Sequence, residues 1–261
     1  MTQPLAVITG ATSGIGAAYA ERLAADGYNL LLTGRREAEL AAVCDRLRER
    51  YPVDVDYRII DLAEADKREA LVQEVTLLPR LDALINNAGY ADDGRFGEAN
   101  WSRHQALLDV HVTSTLQLTH AALPNLIRAR GLVINLASVA SWLPTPHSAL
   151  YGPTKAFVRA FTETLALSYR HEGLRALAVC PGFTVTDFHA RLGLDPASFY
   201  KRHGLTRAWS ANEVVDRSLK DLNRGRVLSV QGWNYRLIVA FLRHLPVRWL
   251  HAVLARSERP R

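Results

Sequence analysis

"LAVITGATSGIGAAYAERLAADG", residues 5–27, decides how the rest of the chain is read. The first five residues are an apolar run of strand length that ends at Gly10. From Ile15 onward, apolar side chains recur at helical spacing, at Ile15, Ala18, Tyr19 and Leu23, and Gly27 stops the helix. Between them the glycines fall at 10, 14 and 16. A strand, a glycine turn and a helix N-terminus are the parts a pyrophosphate needs. The glycines permit the tight turn and close backbone approach, and the helix start offers free N–H groups and a positive dipole end. Three glycines alone also occur in ordinary loops. Their place after a first strand marks Gly10, Thr12, Ser13, Gly14, Ile15 and Gly16 as candidate dinucleotide contacts.

The same alternation continues outward. Short apolar runs at 29–33, 56–60, 82–86, 132–136 and 174–179 read as strands, with amphipathic stretches between them. Near-continuous apolar strands separated by helices predict a parallel sheet covered on both faces. No Pro-, Gly- or Ser-rich linker and no repeat divides the 261 residues, so the fold class is α/β, a single doubly wound domain. With 48% hydrophobic and 22% charged residues the chain can bury a full core. No uncharged stretch reaches the ~20 residues of a spanning helix. The start, "MTQPLAVITG", lacks the basic and apolar regions of a leader, so a cytoplasmic protein is expected. Cys44 and Cys180 are far apart and read as free buried thiols, and no Cys/His cluster has metal-ligand spacing, so no metal is expected.

The second strand is followed by Gly34, Arg35 and Arg36. An NAD site wants a carboxylate here for the ribose 2′-hydroxyl, whereas guanidinium groups grip a 2′-phosphate. Two cations at a helix start oppose the macrodipole, so a solvated helix start explains them less well than a phosphate does. NADP is the expected cofactor, ahead of NAD.

Lysine is scarce. The chain has 28 arginines and four lysines, Lys67, Lys155, Lys201 and Lys220. Lys155 lies four residues after Tyr151 on a helix expected from about 151 to 171, so the two share a face. Ser138 follows the strand at 132–136. In open α/β sheets ligands sit beyond the carboxyl ends of the strands, where these three side chains can converge. A compact ammonium beside a phenol favours the phenolate and lowers the phenol's pKa. A tuned Tyr151 can then exchange a proton with a carbonyl oxygen while Ser138 hydrogen-bonds that oxygen. In isolation a Tyr and a Lys at this spacing are an ordinary surface pair.

Taken together, "TGATSGIG", "DL" (61–62), "NNAG" (86–89), Ser138, "YGPTK" and "PGFTVT" (181–186) resemble, in order and spacing, the short-chain dehydrogenase/reductase family from residue 4 to about 230. The resemblance implies a Rossmann fold. It also implies that Asp61 and Leu62 flank the adenine, and that Asn87, with Ala88 and Gly89, lines the cofactor cleft. It implies further that the backbone after Pro181 and Gly182, with Thr184 and Thr186, holds the nicotinamide carboxamide, and that Tyr151 and Lys155 touch the cofactor as well as the substrate. One position departs. The family carries Asn where this chain reads "DVHV", which puts His111 at the fourth catalytic position. The family's residue acts through its main-chain carbonyl, which survives the change, and the His ring could add a titration of its own. Within the family, the chain looks most like bacterial NADP-dependent reductases similar to 3-oxoacyl and hydroxysteroid reductases.

Residues 183–210 read as a long substrate-side loop or lid, closed by a capping box from Ser210 to Glu213. Its aromatic residues, with "SWLPTPH" (141–147), suggest an apolar carbonyl or alcohol substrate. The domain is expected to span 1–230 and a basic amphipathic tail 231–261. Residues 224–261 hold eight arginines against one acid, Glu258, a net +7 that leaves the rest of the chain near −1. Apolar positions 237, 238, 241, 242 and 245, then 249, 250, 253 and 254, form stripes separated by Pro246. The tail would pack on the domain, join a homodimer or homotetramer, or contact a membrane surface. It has no nucleic-acid-binding motif. The function expected is an NADP-dependent oxidoreductase acting on a carbonyl or secondary alcohol. The alternative is a catalytically silent dinucleotide sensor, which has no need of Ser138, Tyr151 and Lys155 together.

Overall fold

A computed structural model describes residues 3–186 except 93 and 147, residues 200 and 204, and residues 207–251 except 247. The first apolar runs form strands where the sequence places them: β1 (Leu5–Thr9), β2 (Asn29–Gly34), β3 (Val55–Ile59) and β4 (Ala83–Asn86). Between them lie α1 (Gly14–Ala25), α2 (Glu37–Arg50) and α3 (Ala65–Leu77). The second half runs through α4 (Trp101–Leu108), α5 (Ser114–Arg128), β5 (Leu132–Leu136), α6 (Tyr151–Ser168) and β6 (Arg175–Cys180). A short pair, β7 (Thr184–Val185) and β8 (Trp209–Ser210), precedes α7 (Ala211–Asn223), β9 (Leu228–Val230) and α8 (Trp233–His244).

The main sheet has seven strands in the order β3-β2-β1-β4-β5-β6-β9, and every pairing is parallel. The order reverses between β1 and β4, which is where such sheets open a crevice for ligands. The inner strands are buried on both sides, so they need no polar alternation: β5 is buried at all five positions, whereas the edge strand β3 is partly exposed. One face packs on α1, α2 and α7 through Tyr19, Leu23, Leu40, Leu47, Val215 and Leu219. The other packs on α3, α5 and α6 through Leu71, Val75, Leu118, Leu126 and Leu165. A buried polar ladder ties the second half together. Asn86 Nδ2 donates to Asn135 Oδ1 at 2.8 Å, and Asn135 Nδ2 donates to Thr162 Oγ1 at 2.8 Å.

Three features lie outside the sequence expectations. Strand β9 is only three residues long, below the length at which an apolar run stands out. Residues 109–113, "DVHVT", form a π-helical turn between α4 and α5, for which the periodicity carries no signal. The tail helix α8 belongs to a third core cluster with Ala137, Val158, Cys180 and Val230, to which it brings Tyr235 and Val239. Its inward row is therefore 235, 238, 239 and 242, which corrects the expected stripe. Leu237 and Phe241 point outward, 56% and 64% exposed. The capping box is present as expected: Ser210 Oγ accepts the Glu213 N–H while Glu213 accepts the Ser210 N–H. Most of the expected lid at 183–210, and His147 of the expected aromatic wall, lie outside the described residues.

Candidate active site

A cavity of about 600 Å³ opens along the carboxyl edge of the sheet. The glycine loop forms one end. Gly10 and Gly14 have φ of +67° and +60°, the left-handed region that favours glycine. Gly16 stands behind the wall rather than in it. A Cβ there would lie 2.3 Å from the Gly10 carbonyl oxygen and 2.4 Å from Asn87 Nδ2. Asn87 explains the tightness, because its Nδ2 donates to the carbonyls of Thr9 and Gly10 at 3.0 and 2.9 Å. Thr9 Oγ1 in turn accepts the N–H groups of Asn87 and Ala88. The turn is thus laced to the end of β4 before any ligand arrives.

The two arginines flank this loop. Arg36 reaches back to Thr12 Oγ1 at 2.8 Å and Ser13 Oγ at 3.1 Å. Arg35, 60% exposed, touches Asp61 at 3.4 Å. Asp61 uses its other oxygen to accept the Ala63 N–H, and Leu62 is buried beside it. This end has two cations, glycine backbone and the N-terminus of α1, and it fits an adenosine carrying a 2′-phosphate.

The other end holds the expected catalytic side chains. Ser138, Tyr151, Lys155 and the loop from Pro181 to Thr186 share the cavity with Asn87, Ala88 and Gly89. Ser138 leaves β5 in extended backbone and caps the 3₁₀ turn at Val139–Trp142 by accepting the Ala140 N–H at 3.1 Å. Tyr151 opens α6, and Lys155 lies one turn on, its Nζ 5.8 Å from the Tyr151 ring centroid. Lys155 is buried and donates to the Leu136 carbonyl at 2.8 Å. Burial lowers its pKa from 10.5 to about 8. Tyr151 differs from the sequence expectation. Burial raises its pKa above 10, outweighing a hydrogen bond to Ser138 that lowers it. In this structure the phenol is held in its protonated form. Cys180, nearby at the end of β6, has its thiol pushed up to about 12 by burial and is inert.

His111 lies in the π-helical turn and is 1% exposed, just behind Gly89. Its Nε2 accepts the Tyr90 N–H at 3.1 Å. A backbone N–H only donates, so the ring proton sits on Nδ1, which donates to Thr154 Oγ1 at 2.9 Å. The Thr154 hydroxyl donates onward to the Tyr151 carbonyl at 3.0 Å. Burial and the nearby Lys155 ammonium hold the His111 pKa well below 6.5. Both ring nitrogens are therefore engaged and the ring is neutral, so the titration that the sequence allowed has no place here. The ring braces the Tyr151 end of α6 against the Gly89–Tyr90 loop. The His111 main-chain carbonyl accepts the Thr115 hydroxyl at 2.8 Å.

The apolar wall includes Leu143 and Phe183, from the two segments the sequence reading assigned to the substrate side, and one element that escaped that reading, α8. Val139, Leu143 and Phe183 make the far side apolar, and α8 adds Tyr235, Ile238 and Leu242. Tyr235 also latches the loop after β6. Its hydroxyl accepts the Phe183 N–H at 3.0 Å, and a Cβ on Gly182 would meet its ring at 2.1 Å. The one available signal was the 235/238/239/242 spacing, which competes in the sequence with an equally apolar outward row.

Residues 4–196 match the short chain dehydrogenase family. Sulfoacetaldehyde reductase 2 of Chromohalobacter salexigens is 34% identical over 220 residues, 81% of this chain and 85% of that protein. Among solved structures, a short-chain dehydrogenase from Sphingobium yanoikuyae in complex with NADPH is 30% identical, with a TM-score of 0.82 over 99% of this chain and 96% of that one. The bulky-bulky ketone specific alcohol dehydrogenase of Comamonas testosteroni is 28% identical, with a TM-score of 0.77 over 100% of this chain and 96% of that one.

Proposed function

The chain belongs to the short-chain dehydrogenase family, and we propose that it reduces a bulky, apolar ketone at the expense of NADPH, with Tyr151 as the proton donor. The class of reaction is that of the family: hydride moves between NADP(H) and a carbonyl or secondary alcohol. One observation carries the reading. Ser138, Tyr151 and Lys155 line the same cavity as the glycine loop, Arg35 and Arg36. A silent sensor would need only the second group.

When bound, NADPH supplies the hydride. The chain's residues do the rest. Gly10, Gly14 and the start of α1 receive the pyrophosphate, Arg35 and Arg36 the 2′-phosphate, and Asp61 and Leu62 the adenine side. Pro181, Gly182, Thr184 and Thr186 offer backbone and hydroxyl groups to the carboxamide. Ser138 orients the carbonyl oxygen by a hydrogen bond. Tyr151, kept protonated by burial, donates its proton to that oxygen as the alcohol forms. The phenolate left behind is stabilised by the Lys155 ammonium, a compact charge in a site that arginine's planar fork would not fit. His111 holds Tyr151 in place through Thr154. Gly16 acts by letting α1 approach β4.

The apolar wall from Val139, Leu143, Phe183, Ile238 and Leu242 supports a hydrophobic substrate, as does the similarity to an alcohol dehydrogenase specific for bulky-bulky ketones. Residues 1–230 form the catalytic unit, and α8 of the 231–261 tail finishes its substrate wall. A homodimer or homotetramer accords with Phe157 and Leu167, exposed on α6 at 44% and 64%. A cytoplasmic location accords with two free, buried cysteines. No helix among the described residues is long and apolar enough to cross a membrane.

The test is NADPH consumption with a panel of carbonyls: diaryl and other bulky ketones, small anionic aldehydes and keto-sugars. Bulky ketones should have kcat/KM at least tenfold above the others. Preference for the small polar carbonyls would overturn the substrate assignment, and consumption with none would overturn the reaction.

A further inference from the structure

The tail helix has a second apolar row that the catalytic site does not use. Its inward side chains, Tyr235, Ile238, Val239 and Leu242, go to the third core cluster and the cavity wall. On the opposite side Trp233, Leu237 and Phe241 follow one another at intervals of four residues, 65%, 56% and 64% exposed. Beyond Pro246 a helical turn at 248–251 adds Trp249, 61% exposed. A single exposed leucine needs no explanation. Trp233, Leu237 and Phe241 on one face of a helix form a contiguous apolar row, Trp249 is exposed shortly after it in the chain, and such patches are interaction sites.

The charges beside the row say what kind of partner fits. Arg236 and Arg243 flank it on the helix, and Arg248 sits next to Trp249. None of the three has an ion-pair partner among the described residues, whereas Arg226 nearby is paired to Asp221 at 2.9 Å. Across 224–261 eight arginines face one acid. An isologous dimer through this face would set the patch against itself, and arginines would meet arginines. An anionic lipid surface supplies the missing charge. Trp and Phe favour the headgroup boundary, and long arginine side chains reach from an apolar surface to phosphate.

We propose that the outward face of α8, continued by the turn at 248–251, docks on an anionic membrane surface. The helix lies in the interface and does not span it. Its other face walls the cavity, so docking brings the substrate site within about one helix diameter, ~10 Å, of the lipid. That geometry suits an apolar substrate dissolved in the bilayer. The docking itself does not depend on the reductase reading, and the two are tested by separate readouts.

The experiment is flotation of the full chain with vesicles of phosphatidylglycerol and phosphatidylcholine, against phosphatidylcholine alone, at low and high salt. The wild type should bind the anionic vesicles at least tenfold more tightly, and salt should release it. The double variant Leu237→Asp/Phe241→Asp should lose at least tenfold in vesicle affinity while its NADPH binding and melting temperature hold. If the aspartates lower the melting temperature, Arg243→Gln/Arg248→Gln carries the test through a shallower salt dependence. Failure of the wild type to bind anionic vesicles would overturn the proposal, as would unchanged binding and salt dependence in the variants. Loss of half the molar mass in light scattering by the aspartate variant, without vesicle binding by the wild type, would assign the row to a second copy of the chain.

Discussion

The two ends of the cavity are built by different rules. At the glycine loop, backbone packs on backbone. Gly10 and Gly14 sit at positive φ, and Gly16 leaves no room for a Cβ between the Gly10 carbonyl and Asn87. Only one residue type satisfies each position. At the far wall, Val139, Leu143, Ile238 and Leu242 meet the substrate side with apolar surface alone. Many side chains of similar volume satisfy that requirement. The first end is therefore tied to one cofactor, and the second is free to set substrate shape.

Substitutions at the two ends should fail in different ways. The largest effect on cofactor affinity is expected at Gly16. Gly16→Ala forces a methyl to 2.3 Å from the Gly10 carbonyl oxygen, an overpacking cost at the upper end of the usual range, about 3 kcal/mol or more, which distorts the loop the cofactor needs and is roughly a hundredfold in affinity. NADPH titration should show that loss while substrate preference among ketones is unchanged; an unaltered dissociation constant would break the comparison. Next is Arg35→Ala. Losing a charge-assisted contact to phosphate costs roughly 1.5–3 kcal/mol, so NADPH should weaken tenfold or more and NADH little. Arg36 is the poorer probe, because it also holds Thr12 and Ser13. Equal losses for both cofactors would remove the case for 2′-phosphate recognition.

A smaller effect belongs to the far wall. Leu242→Ala should lower kcat/KM for a bulky ketone against a small one by about tenfold, since each methylene in such a pocket is worth about 1–3 kcal/mol. NADPH affinity should hold. A parallel loss for both ketones would mean that α8 supports the site without shaping it.

The least change in rate is expected at His111→Asn. The hydrogen bonds of the ring are positional, so kcat should stay within a few-fold and its pH profile should gain or lose no ionisation. The effect should appear in stability. His111 has a folded pKa depressed below 6.5, so the unfolded chain binds the proton first as pH falls. The stability associated with the neutral ring is complete above pH 6.5 and is lost below it, with a slope of up to ~1.4 kcal/mol per pH unit. Melting temperatures taken from pH 7.5 down to 5.5 should fall more steeply for the wild type than for the variant. Parallel curves would contradict the neutral, buried ring.

The same contrast explains what the sequence revealed. The inner strands among β1 to β6 and the cofactor end were legible because burial on both faces produces unbroken apolar runs, and because glycine and Arg35–Arg36 carry geometry and charge that few other residues supply. The convergence of Ser138, Tyr151 and Lys155 was legible from strand-end placement and helical spacing. The direction of the Tyr151 shift was not. It depends on how deeply the phenol is enclosed, and spacing says nothing about enclosure. The bracing role of His111 was hidden for a similar reason, since its partners Tyr90 and Thr154 are 21 and 43 residues away. On α8 both faces are apolar, so periodicity could not say whether 235/238/239/242 or 233/237/241 turns inward.

The central claim is that Tyr151 donates the proton and leaves cofactor binding to the rest of the cavity. Tyr151→Phe, assayed with a bulky ketone and titrated with NADPH, tests it most directly. Turnover should fall by about 10²–10⁴-fold, the usual contribution of a positioned acid, while NADPH affinity stays within a few-fold because the ring and the other contacts remain. Near-wild-type turnover in the phenylalanine variant, with NADPH still bound, would contradict the account.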